Sequence, residues 1–408
     1  MPITLDEIQA ARARIAGAIC VSPCPESPAL SELTGSRVFC KLDALQRTGS
    51  FKERGARNAL LLLSAEQRQA GVIAASAGNH ALALACHGRD LGIPVTVVMP
   101  RFAPLIKVAT CRRFGANVVL HGENFAEAKA KADELARAQS LTYIHGFDDP
   151  AVIAGQGTVG LELVEQVPNL DAVIVPVGGG GLMAGVSLAI KSLKPETRMI
   201  GVEAATMPSL TQALSCGHVV TVPARPTLAD GLATTKLGEN AFAILRERID
   251  KAIMVSEELI ALAILRLIEL EKSVVEGAGA APLAALLSGQ LPELRGKTVA
   301  ILLCGGNIDP LILGRIIEIG MAADGRLARL VATISDRPGG LANLATIVAQ
   351  TGASVQQIMH DRVFSGPDVS SVRVVCDVET NDRAHLDRLK RALVAQGIAI
   401  DQPASATE

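Results

Sequence analysis

Apolar positions along the chain follow two rhythms. From residue 71, short aliphatic runs alternate with stretches in which apolar residues recur every three to four positions, the marks of strands and amphipathic helices respectively. The pattern predicts strands over 72–75, 95–99, 117–120, 172–177, 198–203 and 298–303. It predicts helices over 79–91, 104–114, 124–138, 150–166, 182–193 and 311–321. Strand and helix in repeated succession build βαβ units around parallel sheets, so this body is α/β. Ahead of it, Leu5 to Ile19 has the spacing of a surface helix, and Ser22 to Pro28 is a Pro/Ser-rich loop wrapping over the body. Val38 to Leu42 is a further strand, and between 204 and 297 the alternation assigns no elements.

The tail changes rhythm. Arg329 to Ser335 is a strand, Asp336 to Gly340 a turn, Leu341 to Gln350 a helix, Ser354 to Arg362 and Ser370 to Val378 strands, Asp382 to Gln396 a helix and Ile398 to Ile400 a last strand. A βαββαβ order is that of a small unit folding by itself. The expected division is a body over 1–322, with a smaller lobe inserted at about 48–150, and a tail unit over 328–402.

A chain of 408 residues is long enough for two or three domains with large cores. The formal net charge of −2 leaves no electrostatic footprint for nucleic acid or an anionic membrane. Aromatics are 2% of the chain, with no Trp and one Tyr, so the stacking residues of a single-strand nucleic-acid binder are missing and the cores are aliphatic. Eight cysteines stand without a CxxC pair, which fits reduced, buried thiols better than a zinc site. The charged N-terminal helix is not a signal region, and no uncharged run reaches the roughly eighteen residues of a membrane span. A soluble, cytoplasmic protein acting on a small molecule is expected.

Four stretches carry chemistry. In Ser50-Phe-Lys-Glu-Arg-Gly-Ala56, Lys52 heads a helical pattern, where a partial positive charge disfavours a cation. It is either a solvated lysine or a Schiff-base lysine for a carbonyl cofactor. Ser76, Asn79 and His80, in Ala75-Ser-Ala-Gly-Asn-His80, end a strand and open a helix, a place for a carboxylate or merely for a cap. Gly178, Gly179, Gly180 and Gly181, followed by Leu182, form a run between strand and helix that lets consecutive amides approach one phosphate. A tight turn needs only one or two glycines. No Lys-Ser/Thr follows, so the run is not a Walker loop. Cys304 ends a strand in Val299 to Asn307, where α/β proteins bind ligands.

With these motifs in order, residues 5–322 resemble the pyridoxal-phosphate-dependent threonine dehydratase and serine racemase family, whose fold is of the tryptophan synthase β-like type. The resemblance implies pyridoxal 5'-phosphate bound to Lys52, with Phe51 beside the ring and Asn79 at its 3-hydroxyl. It puts Gly178 to Gly181 and Leu182 at the phosphate, Cys304 at the pyridine nitrogen, and Ser76, Asn79 and His80 at the substrate carboxylate. Glu276 and the Asp230-Gly231 turn resemble segments lining the same cleft. Glu203 stands where the family has a structural cation site, but Ser209 takes the place of its second carboxylate, which argues against a tight hard-ion site. In the racemases of the family a serine stands where this chain has Ala77.

The tail resembles the ACT family of regulatory domains, with Asp336, Gly339, Gly340 and Leu341 in the loop that takes an amino-acid effector. The resemblance as a whole implies a threonine ammonia-lyase, also acting on serine, assembled as a dimer or tetramer. Alternatives are a serine or hydroxyamino-acid dehydratase or racemase on the same fold, and a non-catalytic amino-acid sensor.

Overall fold

The computed structural model describes residues 3–361 and 370–401. The chain divides into two compact units, Met1–Asp309 and Pro310–Glu408. The first contains strands β1 (Arg37–Lys41), β2 (Val72–Ala75), β3 (Val95–Met99), β4 (Asn117–Leu120), β5 (Thr142–Tyr143), β6 (Ala172–Pro176), β7 (Arg198–Ala204), β8 (Lys251–Val255) and β9 (Thr298–Leu302). They form a four-stranded sheet in the order β4-β3-β2-β5 and a five-stranded sheet in the order β1-β9-β6-β7-β8. Every pairing in both is parallel. Strands β2, β6 and β9 are buried at every position, as a sheet covered on both faces requires.

The expected elements lie close to the observed ones, with instructive exceptions. The first helix is Leu5–Ile15, opened by a Thr4/Glu7 capping box and ended by Ala16, short of the expected Ile19. The Pro/Ser loop gives way to a helix, Pro28–Thr34, in which Ser27 caps the amide of Leu30 and Pro28 takes the first position. The unassigned stretch holds β8 and four helices: Ser209–Cys216, Glu239–Arg248, Glu257–Glu271 and Gly277–Leu287. The last of these, GAGAAPLAALL, is buried from Gly277 to Ala285, so it has no polar face from which a period could be recognised.

Helices of the first unit meet backbone to backbone. The helix Lys52–Leu61 crosses Pro150–Gln166 at Gly55 and Gly155, where an added Cβ would lie 2.7 Å from the Val152 carbonyl oxygen and 2.6 Å from that of Arg54. Pro150–Gln166 then meets Gly181–Leu193, where a Cβ on Gly157 would lie 2.9 Å from the Gly185 carbonyl oxygen. Only glycine permits these approaches.

Under the first crossing lies a buried cluster of charges. The Arg54 guanidinium, 1% exposed, donates from Nε and Nη2 to Asp43 at 2.8 Å each. Its Nη1 and Nη2 donate to the two oxygens of Glu162 at 2.5 and 2.9 Å. Lys41, fully buried, donates to Glu162 at 2.5 Å, to Gln166 at 2.8 Å and to the Ser22 carbonyl at 2.6 Å. Two cations thus meet two carboxylates with nearly every donor paired, the condition under which buried charge is tolerated.

In the second unit, β10 (Leu327–Ser335), β11 (Ser354–Asp361), β12 (Ser371–Glu379) and β13 (Ala399–Asp401) pair antiparallel in the order β11-β12-β10-β13. Helices Gly340–Gln350 and Arg383–Ala395 complete the βαββαβ order, and Pro310–Asp324 precedes it. The expected end of the third segment at Arg362 and the expected limit at 402 lie outside the described residues. A core around Leu330, Ala332, Leu344, Val374 and Leu389 holds the unit together.

Arg54→Met tests the cluster, since it leaves Glu162 with Lys41 and Asp43 with no bonded cation, only the Ser22 hydroxyl. Chemical denaturation should register a loss of about 3–5 kcal/mol. Arg12→Met, which breaks the exposed pair with Glu165, should change stability by no more than about 1 kcal/mol.

Candidate active site

The Lys52 helix starts where two chain segments are tied together. Ser50 and Gly305 form an isolated bridge, and the Phe51 N–H donates to the Cys304 carbonyl at 2.9 Å. Lys52 is the first helical residue. Its Nζ donates to the Gly146 carbonyl at 2.6 Å and lies 5.0 Å from the centre of the Phe51 ring. Burial lowers the Lys52 amine to about 8, against the smaller opposing pull of Cys304 and Glu276.

Beyond Gly146, the ring of Phe147 rests on the glycine run. A Cβ on Gly179 would fall on that ring, one on Gly181 on the Phe147 carbonyl, and one on Gly178 2.6 Å from the Gly231 carbonyl oxygen. Gly180 has φ +90°, the left-handed region. Close packing therefore accounts for three of the four glycines and backbone conformation for the fourth. The same turn leaves the amides of Gly181, Leu182 and Met183 without intrahelical acceptors at the head of Gly181–Leu193, where an anion is favoured.

Asn79 opens its helix from the other side. Its Nδ2 donates to Glu276 at 2.8 Å, and its Oδ1 accepts from Asn307 Nδ2 at 2.9 Å. The same Asn307 amide donates to the Thr48 carbonyl at 2.7 Å. Burial pushes the Glu276 carboxyl up to about 6, with Lys107 and Asn79 pulling the other way. Cys304 is 2% exposed, and burial first, Glu276 next, hold its thiol well above the ordinary range, so it is neutral.

The Ser76–His80 segment departs in part from expectation. Ser76 Oγ accepts from the Gly78 amide at 3.2 Å, a local turn bond that leaves its own proton to give. His80 is buried, and its Nε2 meets the Ile144 carbonyl at 3.1 Å. Burial, then Lys52, lower this imidazole to about 3, so the ring is neutral. A carbonyl only accepts, so the one ring proton sits on Nε2 and Nδ1 has none to offer a carboxylate. What residue 80 offers an anion is its backbone N–H in the first turn.

Glu203 meets a helix N-terminus. Its two oxygens accept the amides of Leu210 at 2.8 Å and Thr211 at 2.9 Å, capping the helix Ser209–Cys216, and burial raises the carboxyl. Among the described residues no group of three or more His, Cys, Asp or Glu is arranged to hold a metal. No described helix is long and apolar enough to cross a membrane.

In the second unit, Gly339 has φ +97° and Gly340 opens the helix. A cavity of about 210 Å³ lies beside that loop, lined by Thr333, Ser335, Gly340, Asn343 and Gln396 among others. Asp336 and Leu341 are not in its wall, and the Asp336 amide donates to the Ser370 carbonyl at 3.0 Å.

Sequence reasoning missed Thr48, Gly146 and Phe147, and it named Asn307 only as the end of the Val299 to Asn307 stretch, without a role. Gly146 and Phe147 follow the short strand β5, and Asn307 follows β9, so all three stand past strand C-termini, where ligands bind in α/β sheets. The assembled ring offers a desolvated amine, orphan amides facing an anion, a neutral thiol and a carboxamide. That set suits a phosphorylated pyridine aldehyde.

A sequence model of the family described as pyridoxal-phosphate dependent enzyme matches residues 15–305. The L-threonine ammonia-lyase of Thermotoga maritima is 43% identical over 398 residues, covering 98% of this chain and 99% of that protein. The catabolic L-threonine dehydratase of Escherichia coli K12 is 43% identical, covering 78% and 96%. Among solved structures, serine racemase from Dictyostelium discoideum superposes with a TM-score of 0.72 at 37% identity, covering 75% of this chain and 99% of that one. The processed form of threonine deaminase isoform 2 from Solanum lycopersicum gives 0.73 at 36% identity, covering 78% and 90%. With its buried amine, its glycine cradle and a match over most of its length, the chain belongs to the pyridoxal-phosphate dependent enzymes.

Proposed function

We propose that the chain is an L-threonine ammonia-lyase, converting threonine to 2-oxobutyrate and ammonia and serine to pyruvate and ammonia, with Lys52 as its catalytic amine. The observation that carries this reading is the Lys52 amine at about 8, held at the Gly146 carbonyl within electrostatic reach of Cys304 and Glu276. Relatives named L-threonine ammonia-lyase, matched along nearly the whole chain, support the substrate. Pyridoxal 5'-phosphate, when bound, supplies the carbonyl that takes an amine and the electron sink for charge at Cα.

The residues present fit that group. Gly178 to Gly181 and Leu182 would hold the phosphate on their amides, Phe51 would lie beside the ring, and Asn79 would face the 3-hydroxyl. Cys304 would face the ring nitrogen. As a neutral thiol it cannot hold that nitrogen protonated as a carboxylate would, which favours prompt loss of the β-substituent. The substrate carboxylate would take the Ser76 hydroxyl and the first-turn amides of Asn79 and His80. The unprotonated fraction of Lys52 Nζ removes the Cα proton; the Cβ–O bond then breaks with its electron pair going to the hydroxyl, which takes up the proton held on Nζ and leaves as water. The released enamine hydrolyses to the 2-oxo acid and ammonia.

Racemisation is the second reading, favoured by the likeness to serine racemases. It needs an acid on the face opposite Lys52, and Ala77 has no proton to give. The tail unit, about 328–402, we read as an ACT-like regulatory domain on a body of about 1–322. Its cavity beside Gly340 supports an amino-acid effector. A tail of this kind also supports assembly as a dimer or tetramer. A non-catalytic sensor would have no use for a desolvated Lys52.

Lys52→Ala should abolish the visible absorption of the bound cofactor and the release of 2-oxobutyrate; a variant keeping that band would remove Lys52 from its role. In the apoprotein, Lys52 should react with an amine-directed acylating reagent with a midpoint near pH 8, as peptide mapping across a pH series would show. At pH 7.5 roughly a quarter of such an amine is unprotonated, against roughly one in a thousand for an ordinary lysine. Titrating full-length protein with isoleucine, valine and serine should shift apparent threonine affinity several-fold, in line with couplings of about 1–3 kcal/mol. Protein ending near residue 323 should not respond, and silence of the full-length protein would make the tail an assembly unit only.

A further inference from the structure

The first turn of the Lys52 helix carries a second ionisable side chain that the chemistry above leaves unused. Glu53 is 1% exposed, and its oxygens are divided between two partners. Oε2 faces His87 Nε2 at 2.9 Å, and Oε1 accepts the backbone N–H of Thr48. Burial alone would raise this carboxyl, yet the bonds from His87 and Thr48 outweigh it and keep Glu53 below its ordinary value. His87 is fully buried and lies on the helix Asn79–Leu91, eight residues beyond its first residue Asn79.

These contacts close a circuit. From Glu53 it runs to the Thr48 amide, from the Thr48 carbonyl to Asn307 at 2.7 Å, and from Asn307 to Asn79 at 2.9 Å. From Asn79 the helix backbone leads to His87, and His87 returns to Glu53. Closing a ring of bonds through a rigid helix makes each bond constrain the geometry of the others, so losing one link loosens the rest. Lys52 is covalently next to one node of this ring, and Asn79 is another.

We propose that Glu53 and His87 are positioning residues that hold Lys52 Nζ and the Asn79 carboxamide in register with each other. The proposal rests on the reading that places Lys52 and Asn79 in the active site. Neither Glu53 nor His87 needs to touch substrate.

The test uses full-length protein, with kcat and KM for threonine and the affinity for pyridoxal phosphate titrated into apoprotein by absorbance. Glu53→Gln keeps an oxygen for the Thr48 N–H and a polar group for His87, and should retain kcat within about threefold. Glu53→Leu loses both and should lower kcat by about tenfold or more with KM little changed, because small misplacements of a reacting group act on the rate. It should also weaken cofactor binding. His87→Leu should act in the same direction, and the double variant should be no worse than Glu53→Leu, as expected of residues in one unit. A folded, cofactor-loaded Glu53→Leu with wild-type kcat and only a lower melting temperature would overturn the proposal. Should Glu53→Leu not fold, His87→Leu, which leaves the Thr48 bond in place, decides by the same readouts: an unchanged kcat and cofactor affinity refutes, a loss of both supports. Lys52→Ala run in parallel tests the underlying reading separately, since its failure would move the amine's role elsewhere whatever Glu53 does.

Discussion

A guanidinium without water around it fixes the frame on which the site is built. Arg54 can be buried only where Asp43 and Glu162 meet its fork in a plane, and Glu162 comes from the helix Pro150–Gln166. The Lys52 helix is thereby set against that helix in both rotation and translation. Successive residues of a helix point about 100° apart, so fixing Arg54 fixes the directions of its two predecessors. Glu53 turns toward His87, and Lys52 turns toward Gly146 and the cleft. Such a network adds little net stability over a well-packed apolar core, because desolvating the charges costs about as much as their attraction returns. Its worth lies in direction: an apolar contact tolerates rotation, and a bidentate pair does not.

Glycine makes this arrangement possible by bringing backbones within contact distance. Gly55 and Gly155 let the Lys52 helix lie so close to its neighbour that Arg54 reaches Glu162 directly. The glycine run at 178–181 serves packing and recognition together. Phe147 presses onto Gly179 and Gly181 while its neighbour Gly146 accepts the Lys52 amine, so the glycine turn and the amine share one short segment of chain as their support.

Much of this was legible in the residues, and the limits have physical causes. Alternating elements were readable because buried strands leave short unbroken aliphatic runs while half-buried helices leave a three-to-four-residue period, and β2, β3 and β4 fell where those runs placed them. The helix Gly277–Leu287 was not readable, because burial on all sides erases the period. Lys52, Asn79, the glycines and Cys304 were recognisable as motifs, whereas Thr48 was not, and Asn307 ended a motif without showing a role, because they act through a backbone carbonyl and a carboxamide that carry no distinctive pattern. His80 shows a further limit. The sequence places it at the head of a helix, and the partner of its ring, the Ile144 carbonyl, lies far along the chain where no local pattern reveals it. Glu203 is similar, since no local pattern marks it as the acceptor of two amides in the helix that begins six residues on.

One consequence of burial unites the chemistry. The same removal of water that brings Lys52 to about 8 raises Glu276 to about 6 and keeps the Cys304 thiol neutral. Each group is pushed toward its uncharged form, so the amine and the carboxyl both titrate close to the physiological range while the thiol stays protonated. In the proposed reading, phosphate and carboxylate anions would be met by helix amides at Gly181–Leu193 and Asn79–Leu91, whose dipoles cannot titrate and compete for no proton. A guanidinium in either place would bind the anion more strongly, but buried there it would need a counter-carboxylate of its own whenever the anion was absent. That carboxylate would draw Lys52 back toward its charged, unreactive state. Neutral recognition of anions is what allows one amine to stay a base.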